Sequence, residues 1–348
     1  MRVRLRSAKA VLSKNLKLCD ASGDIRSNRS DIPERISYMG FRLEKDETVG
    51  SGFQRILREQ TARLSEDLAS ADKDLEKAIH EVRKRCKRVR AVARLLRPNA
   101  KALYRQENAA FRDITRGLSP FRDADVRLEA FDDLVSRMDE PERFAAFREM
   151  LGDHHRDDTK LLEEQLSWTA KEVHAAQERL KEANMSNGAA FKFIEPGLLD
   201  SYKRGRRAMS SAYDTPEETA FHEWRKRVKD LGYQMQTLRD LWPPVLKRLR
   251  SELDKLGDLL GKEHDLTVVR NALLKRAESG IRKDDLRALL GLVEHREFEL
   301  QAEAQTIGRR VYAEKPREFV RRIRVYWETW QAEIPAPEDA ENNTLIPH

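Results

Sequence analysis

Histidine, lysine and arginine recur at helical spacing twice in this chain. His80-Glu81-Val82-Arg83-Lys84-Arg85-Cys86-Lys87 returns 142 residues later as His222-Glu223-Trp224-Arg225-Lys226-Arg227-Val228-Lys229, with six of eight residues identical. A second pair sits at the same offset: Arg122-Asp123-Ala124-Asp125-Val126 and His264-Asp265-Leu266-Thr267-Val268. Two matches at one spacing point to a duplicated unit. A histidine followed by cations suits an anionic ligand. It also invites a metal or catalytic reading through the imidazoles.

Projection on a helix separates these readings. At about 100° per residue, His80, Arg83, Lys84, Lys87, Arg90 and Arg94 fall within about 120° of one another. Val82, Cys86, Val89, Ala93 and Leu96 take the opposite, apolar face. In the second copy His222, Arg225, Lys226, Lys229 and Tyr233 share one face. Trp224, Val228, Leu231, Met235 and Leu238 share the other. Arg85, Arg88 and Arg227 fall off the stripe and are expected to be solvated. A plain solvated helix face would mix signs, so that i,i+4 ion pairs form. These stripes are nearly all positive and place a histidine in phase with the cations. Tyr202-Lys203-Arg204-Gly205-Arg206-Arg207 adds a third basic cluster, with Tyr202 and Arg206 on one face and Gly205 permitting a close helix contact or weakening the helix.

These stripes need helices to hold them. The 3.6-residue period begins at Phe53. It predicts helices near 74–97, stopped by Pro98, and near 101–117. Ser119-Pro120 then offers an N-cap and an N1 proline for the next helix. Asp139-Glu140-Pro141 breaks that helix, and another runs near 154–183. Met185–Gly197 joins the two halves. Helices near 198–211, 217–241, 244–260, 264–279, 283–313 and 316–331 follow. No alternating strand pattern stands out, so the expected class is all-α, with two similar helical bundles. Residues 1–40 read as a poorly ordered basic tail and 332–348 as a polar one. The main domain spans 41–331, with repeats near 50–185 and 190–331.

Composition bounds the partners. The 348 residues carry a net charge of +7. Residues 80–97 alone hold eight Lys/Arg against Glu81, a concentration that gathers anions better than spread charge does. No apolar run is long enough to span a bilayer. The basic start lacks the apolar core of a secretory signal. Two cysteines, Cys19 and Cys86, are too few for a disulfide framework and fit a reducing cytoplasm. Cys86, on the apolar face, is expected to be a buried free thiol.

The chain resembles the CHAD family, the conserved-histidine alpha-helical domain. The resemblance rests on His80-x-x-Arg83-Lys84-x-x-Lys87-x-x-Arg90 and on His222-x-x-Arg225-Lys226-x-x-Lys229-x-x-x-Tyr233. It rests also on Leu118-x-x-x-Arg122-Asp123-x-x-Val126 and Leu260-Gly261-x-x-His264-Asp265-x-x-Val268, and covers roughly residues 40–331. The resemblance implies two helical bundles about a pseudo-twofold axis and a basic surface or channel that binds inorganic polyphosphate. It also implies association with polyphosphate granules. Some relatives are fused to a CYTH triphosphate-tunnel domain, whose Glu-x-Glu-x-Lys signature is not found here. Two features depart from the pattern. Ser119-Pro120 replaces the Leu-Gly step present at Leu260-Gly261, and Gly232 and Gln236 stand where the first copy has Arg90 and Arg94.

The reading that follows is non-catalytic polyphosphate binding by a cytoplasmic protein, with no cofactor, no metal and no membrane. The binding residues are His80, Arg83, Lys84, Lys87, Arg90, Arg94, Tyr202, Arg206, Arg207, His222, Arg225, Lys226, Lys229 and Tyr233. Such a double row of cations releases the counterions of a linear polyanion, with Arg forking onto phosphate oxygens. Nucleic acid enters as a competing polyanion, because no groove-reading or base-stacking motif is present. A metal-dependent phosphohydrolase is the other alternative. Its candidate cluster is His154-His155 with Asp153, Asp157 and Asp158, but adjacent helical histidines diverge by about 100°. Asp123 and Asp265 are expected to be structural.

Overall fold

A computed structural model describes residues 41–333 apart from 139, 153–158, 186, 187, 189, 216–218 and 276–281. Among the described residues there are eleven α-helices and no strand. They are α1 (Val49–Ala69), α2 (Leu75–Leu96), α3 (Lys101–Gly117), α4 (Pro120–Val135), α5 (Ala145–Gly152), α6 (Thr159–Glu182), α7 (Glu195–Asp214), α8 (Ala220–Thr237), α9 (Pro243–Lys275), α10 (Lys283–Val311) and α11 (Pro316–Ala332). Helix α1 packs on α2 and α6, and α2 on α3; α8 packs between α7 and α9, and α9 on α10. The two groups meet where α2 packs on α7 and α8, and where α4 packs on α9.

The apolar faces read from the sequence are the buried ones. Val82, Cys86 and Val89 on α2 are fully buried, as are Trp224, Val228, Leu231 and Met235 on α8. A single core cluster runs from Phe41 through both helix groups to Ile323 and Trp330. A smaller cluster of Phe131, Phe144, Phe147, Leu151, Val269 and Leu273 fills the space between α4, α5 and α9. Burial pushes the Cys86 thiol up to about 12, so it is an inert core group. Asp74 caps α2 by accepting from the Lys77 amide at 3.0 Å.

Three sequence expectations differ from the structure. The helices expected near 244–260 and 264–279 are one helix, α9. Leu260-Gly261-Lys262 contains no residue that must break the hydrogen-bond ladder, whereas Pro120 at the matching offset removes an amide and separates α3 from α4. Ser119 is not the N-cap of α4. Its backbone is helical and its side chain makes no cap bond. The short helix α5, which buries Phe147 and Leu151 one turn apart, has no counterpart among the expected elements.

The helix groups are joined by polar contacts as well as by the core. Arg94 of α2 pairs with Asp230 of α8 at 2.7 Å, both nearly buried. The Gln234 amide donates to the Ala91 carbonyl and the Ser201 hydroxyl, each at 3.0 Å. Gly197 marks a close crossing of α7 and α2. A Cβ there would lie 2.1 Å from the Leu95 carbonyl oxygen, a backbone atom that cannot move aside alone. Gly197→Ala therefore forces α7 away from α2. It is expected to destabilise the fold by about 1–3 kcal/mol, read as a lower urea midpoint. An unchanged midpoint would contradict this crossing.

Candidate functional site

Lys87 is the centre of the basic surface. Its side chain is open to solvent. It has no acidic partner among the described residues. Burial and then the charges of Arg225, Arg83, Arg122 and Lys229 push its ammonium down to about 8. The side chain is exposed at the surface and yet has much protein around it. Arg225 and Lys229 belong to α8, so the two sequence stripes face one another. The charges also form a row. Arg122 acts on both His80 and Lys87, and Arg225 acts on Lys87, His222 and His264.

Local packing explains how the cations are held. Arg83 donates to the Ser119 hydroxyl at 2.7 Å and to the Thr115 carbonyl at 3.2 Å. Ser119 in turn donates to Thr115 O, which accounts for its missing cap. On α8, Arg225 lies across α9 at Gly261, with guanidinium atoms 3.5–3.6 Å from where a Cβ would sit. Lys229 crosses at Gly257, where a Cβ would meet its Cε at 2.7 Å. The two glycines give α9 a bare strip on which these side chains lie flat. Lys229 also meets the exposed Asp258 at 2.9 Å. The Arg225 Nε is buried without a hydrogen-bond partner.

The imidazoles are kept neutral. Burial lowers His80, followed by Arg122, while Glu81 works the other way. His222 stacks on His264 with centroids 4.1 Å apart and planes 35° apart. Burial and then the neighbouring His264 hold His222 at about 3, and burial and then Arg225 hold His264 at about 4. The His222 Nδ1 is buried and unpartnered.

Other expected site residues are placed elsewhere or are committed. Lys84 and Lys226 pair with Glu81 and Glu223 one turn back, at 3.1 and 2.5 Å. Arg90 donates to the Asn108 side chain at 3.2 Å, and burial lowers its pKa. Arg94 is taken up by Asp230. Tyr202 is a core residue, not a ligand: its hydroxyl donates to Val311 O at 3.0 Å and its ring stacks on Phe319 at 4.1 Å. Tyr233 is also buried, beneath the Arg88 and Arg250 guanidiniums at 6.0 and 5.2 Å. Arg206 donates to the Glu314 carbonyl, and Arg207 lines a separate hollow of about 440 Å³ with Arg204, Arg227 and Glu223. No described contact joins either to the Lys87 group.

The arginines expected to be solvated are not. Arg85 pairs with Asp67, Arg227 with Glu223 and Asp230, and Arg88 lies over the Phe41 and Tyr233 rings. Gly205 does mark a close contact, against the Tyr312 hydroxyl. Two members of the row, Arg122 and His264, were absent from the expected site. Their sequence signal is the second motif pair, in which each stands directly before an aspartate. The Asp123 side chain lies outside the described residues, and Asp265 is engaged within the protein. The His154-His155 cluster lies outside them too. Among the described residues no group of three or more His, Cys, Asp or Glu is placed to hold a metal. None of the described helices is long and apolar enough to cross a membrane.

The family model of the CHAD domain matches residues 55–274, more than half of the chain. The chain belongs to the CHAD family. The crystal structure of the CHAD domain from the plant Ricinus communis is similar, with a TM-score of 0.59 and 15% identity. The match covers 80% of this chain and 96% of that one. At this identity the likeness concerns the fold. No curated protein matches the sequence significantly. In this CHAD protein the row of charges lies where α2, α4, α8 and α9 come together.

Two predictions follow from the electrostatics. Lys87 is charged at neutral pH against its surroundings, so Lys87→Met should raise the thermal midpoint of the ligand-free protein. A lower midpoint would show that the ammonium is stabilised, not strained. His222 and His264 are depressed below the ordinary value near 6.5, so the unfolded chain binds more protons than the folded one in acid. Stability is full above about pH 6.5 and is lost as pH falls toward the folded values near 3 and 4. Urea midpoints measured down this pH range should fall less steeply in His264→Asn than in the unaltered protein.

Proposed function

We propose that this CHAD protein binds inorganic polyphosphate, without catalysis, along the row formed by His80, Arg83, Arg122, Lys87, Arg225, Lys229, His264 and His222. The observation that carries the reading is Lys87: cations from both helix groups press on an amine that has no acidic partner among the described residues. Such crowding is unfavourable in the empty protein and is relieved by a polyanion. CHAD domains are associated with polyphosphate binding generally. A linear chain with about one charge per phosphate suits a row of separated cations, and forked guanidinium contacts add direction.

Matched spacings support a duplicated unit behind the row. Arg83 bonds Ser119, 36 residues on, and Arg225 lies over Gly261, also 36 residues on. His80 feels Arg122 and His222 stacks on His264, each pair 42 residues apart. The copies differ in outcome. The Ser119 hydroxyl engages the Arg83 guanidinium through its terminal nitrogen, while Gly261 offers Arg225 no side chain; the Nε of each arginine is buried without a hydrogen-bond partner. We place the protein on polyphosphate granules in the cell as part of the same reading.

Titration of the full chain with long polyphosphate should give salt-sensitive binding. Arg225→Ala should weaken it about tenfold, the effect of losing one charge-assisted contact. The slope of log affinity against log salt should shrink by about one per cation removed. Unchanged binding by a folded variant lacking Lys87, Arg122 and Arg225 together would overturn the site. Preference for DNA at equal charge and physiological salt would favour the nucleic-acid reading. Phosphate release from polyphosphate with added Mg²⁺ or Mn²⁺ would establish hydrolysis.

A further inference from the structure

We infer that the His222–His264 stack is a proton-coupled part of the site, neutral when no anion is bound and taking up a proton from solvent when polyphosphate enters. This rests on the polyphosphate reading above and adds regulation to it.

The geometry is specific to this pair. The two rings are in face contact at 4.1 Å. At that separation two imidazolium charges repel strongly in a partly desolvated setting. The pair therefore accepts one proton and titrates as a unit. Neither ring has a hydrogen-bond or ion-pair partner among the described residues, and the His222 Nδ1 is shut away from water as well. A buried nitrogen left unpaired is unfavourable, and the structure holds no acceptor for a proton placed there.

Burial is the larger part of why the pair stays neutral, and the surrounding charges add the part that an anion can relieve. Arg225 and Lys226 of α8 act on both rings, and Glu223 of the same helix acts on His222 in the opposite sense. Glu223 is already engaged by Lys226 and Arg227, so its help is diluted. Asp265, the chain neighbour of His264 on α9, is engaged within the protein. The balance is positive, and the proton stays away. An incoming phosphate chain reverses that balance. Its interior groups are strong acids and stay ionised near neutrality. Once they neutralise Arg225 and Lys226, an imidazolium gains both charge compensation and an oxygen to donate to.

Arg225 couples the stack to the rest of the row. It lies at Gly261, one turn before His264 on α9, and its charge also acts on Lys87 of α2. A phosphate anywhere between Lys87 and the stack is thus felt by the imidazoles. Coupling of this kind is reciprocal: if the anion favours the proton, the proton favours the anion by the same factor. Binding should tighten as pH falls, up to about tenfold per pH unit while one proton is taken up.

The test is calorimetry of the full-length protein with long-chain sodium polyphosphate. Titrations at about pH 6 in two buffers of different ionisation enthalpy give the protons exchanged on binding. Uptake approaching one proton per site is expected, falling by at least half in a His222→Asn, His264→Asn variant. Imidazole ¹⁵N shifts of the unaltered protein, with and without polyphosphate, read the same event without a mutation. They should show the stacked histidines titrating at higher pH when ligand is bound. Binding without proton uptake, with unmoved imidazole titrations, overturns the inference and leaves the polyphosphate reading intact. Absence of binding at about pH 7.5 and at about pH 6 overturns both.

Discussion

Repulsion among like charges at Lys87 is the constraint around which the rest is arranged. An amine facing Arg83, Arg122, Arg225 and Lys229 opposes compaction. The remainder of the molecule supplies the cohesion that holds it there. Away from the row, several arginines are matched with acids. Arg85 has Asp67, Arg94 has Asp230, Arg179 has the buried Glu107, and Arg270 has the buried Glu297. The contrast is with Lys87, which has no carboxylate partner among the described residues.

That contrast depends on close packing where the helix groups join. Arg94 and Asp230 sit at one end of the seam, and Gln234 ties α8 to α2 and α7 by backbone and side-chain bonds. Gly197 lets α7 approach α2 until backbones touch. These contacts fix the distance between Lys87 and Arg225. A looser seam would let the cations drift apart and relieve their repulsion, and the concentrated charge would be lost.

Much of this was legible in the sequence, and for definable reasons. Apolar periodicity placed α2 and α8 to within a few residues, because Val82, Cys86, Trp224 and Val228 have no other face to bury. The stripe opposite them followed from the same geometry. Helical projection does not show what stands across from a face. Arg94 and Arg90 fall on the stripe, but Asp230 and Asn108 reach them from other elements. Tyr202 shares a face with Arg206, yet Phe319 and the Val311 carbonyl claim it. Arg88 lies off the stripe, and two aromatic rings from distant positions cover it. Arg122 and His264 show in the sequence only as members of the second motif pair, and it is their charge and ring contacts with residues of α2 and α8 that bring them into the row.

The bare strip at Gly257 and Gly261 has a consequence for how a bound polymer would behave. Side-chain knobs on α9 would seat a chain in one register. A strip without knobs, with Arg225 and Lys229 lying flat across it, offers charge with little relief. For a polymer of identical units, moving along by one phosphate then restores nearly the same field. Many registers become equivalent, and the bound chain keeps translational freedom along its own axis that a small, singly seated ligand would surrender. Longer chains present more such registers, so tight capture and lateral mobility would arise from the same two missing methyl groups.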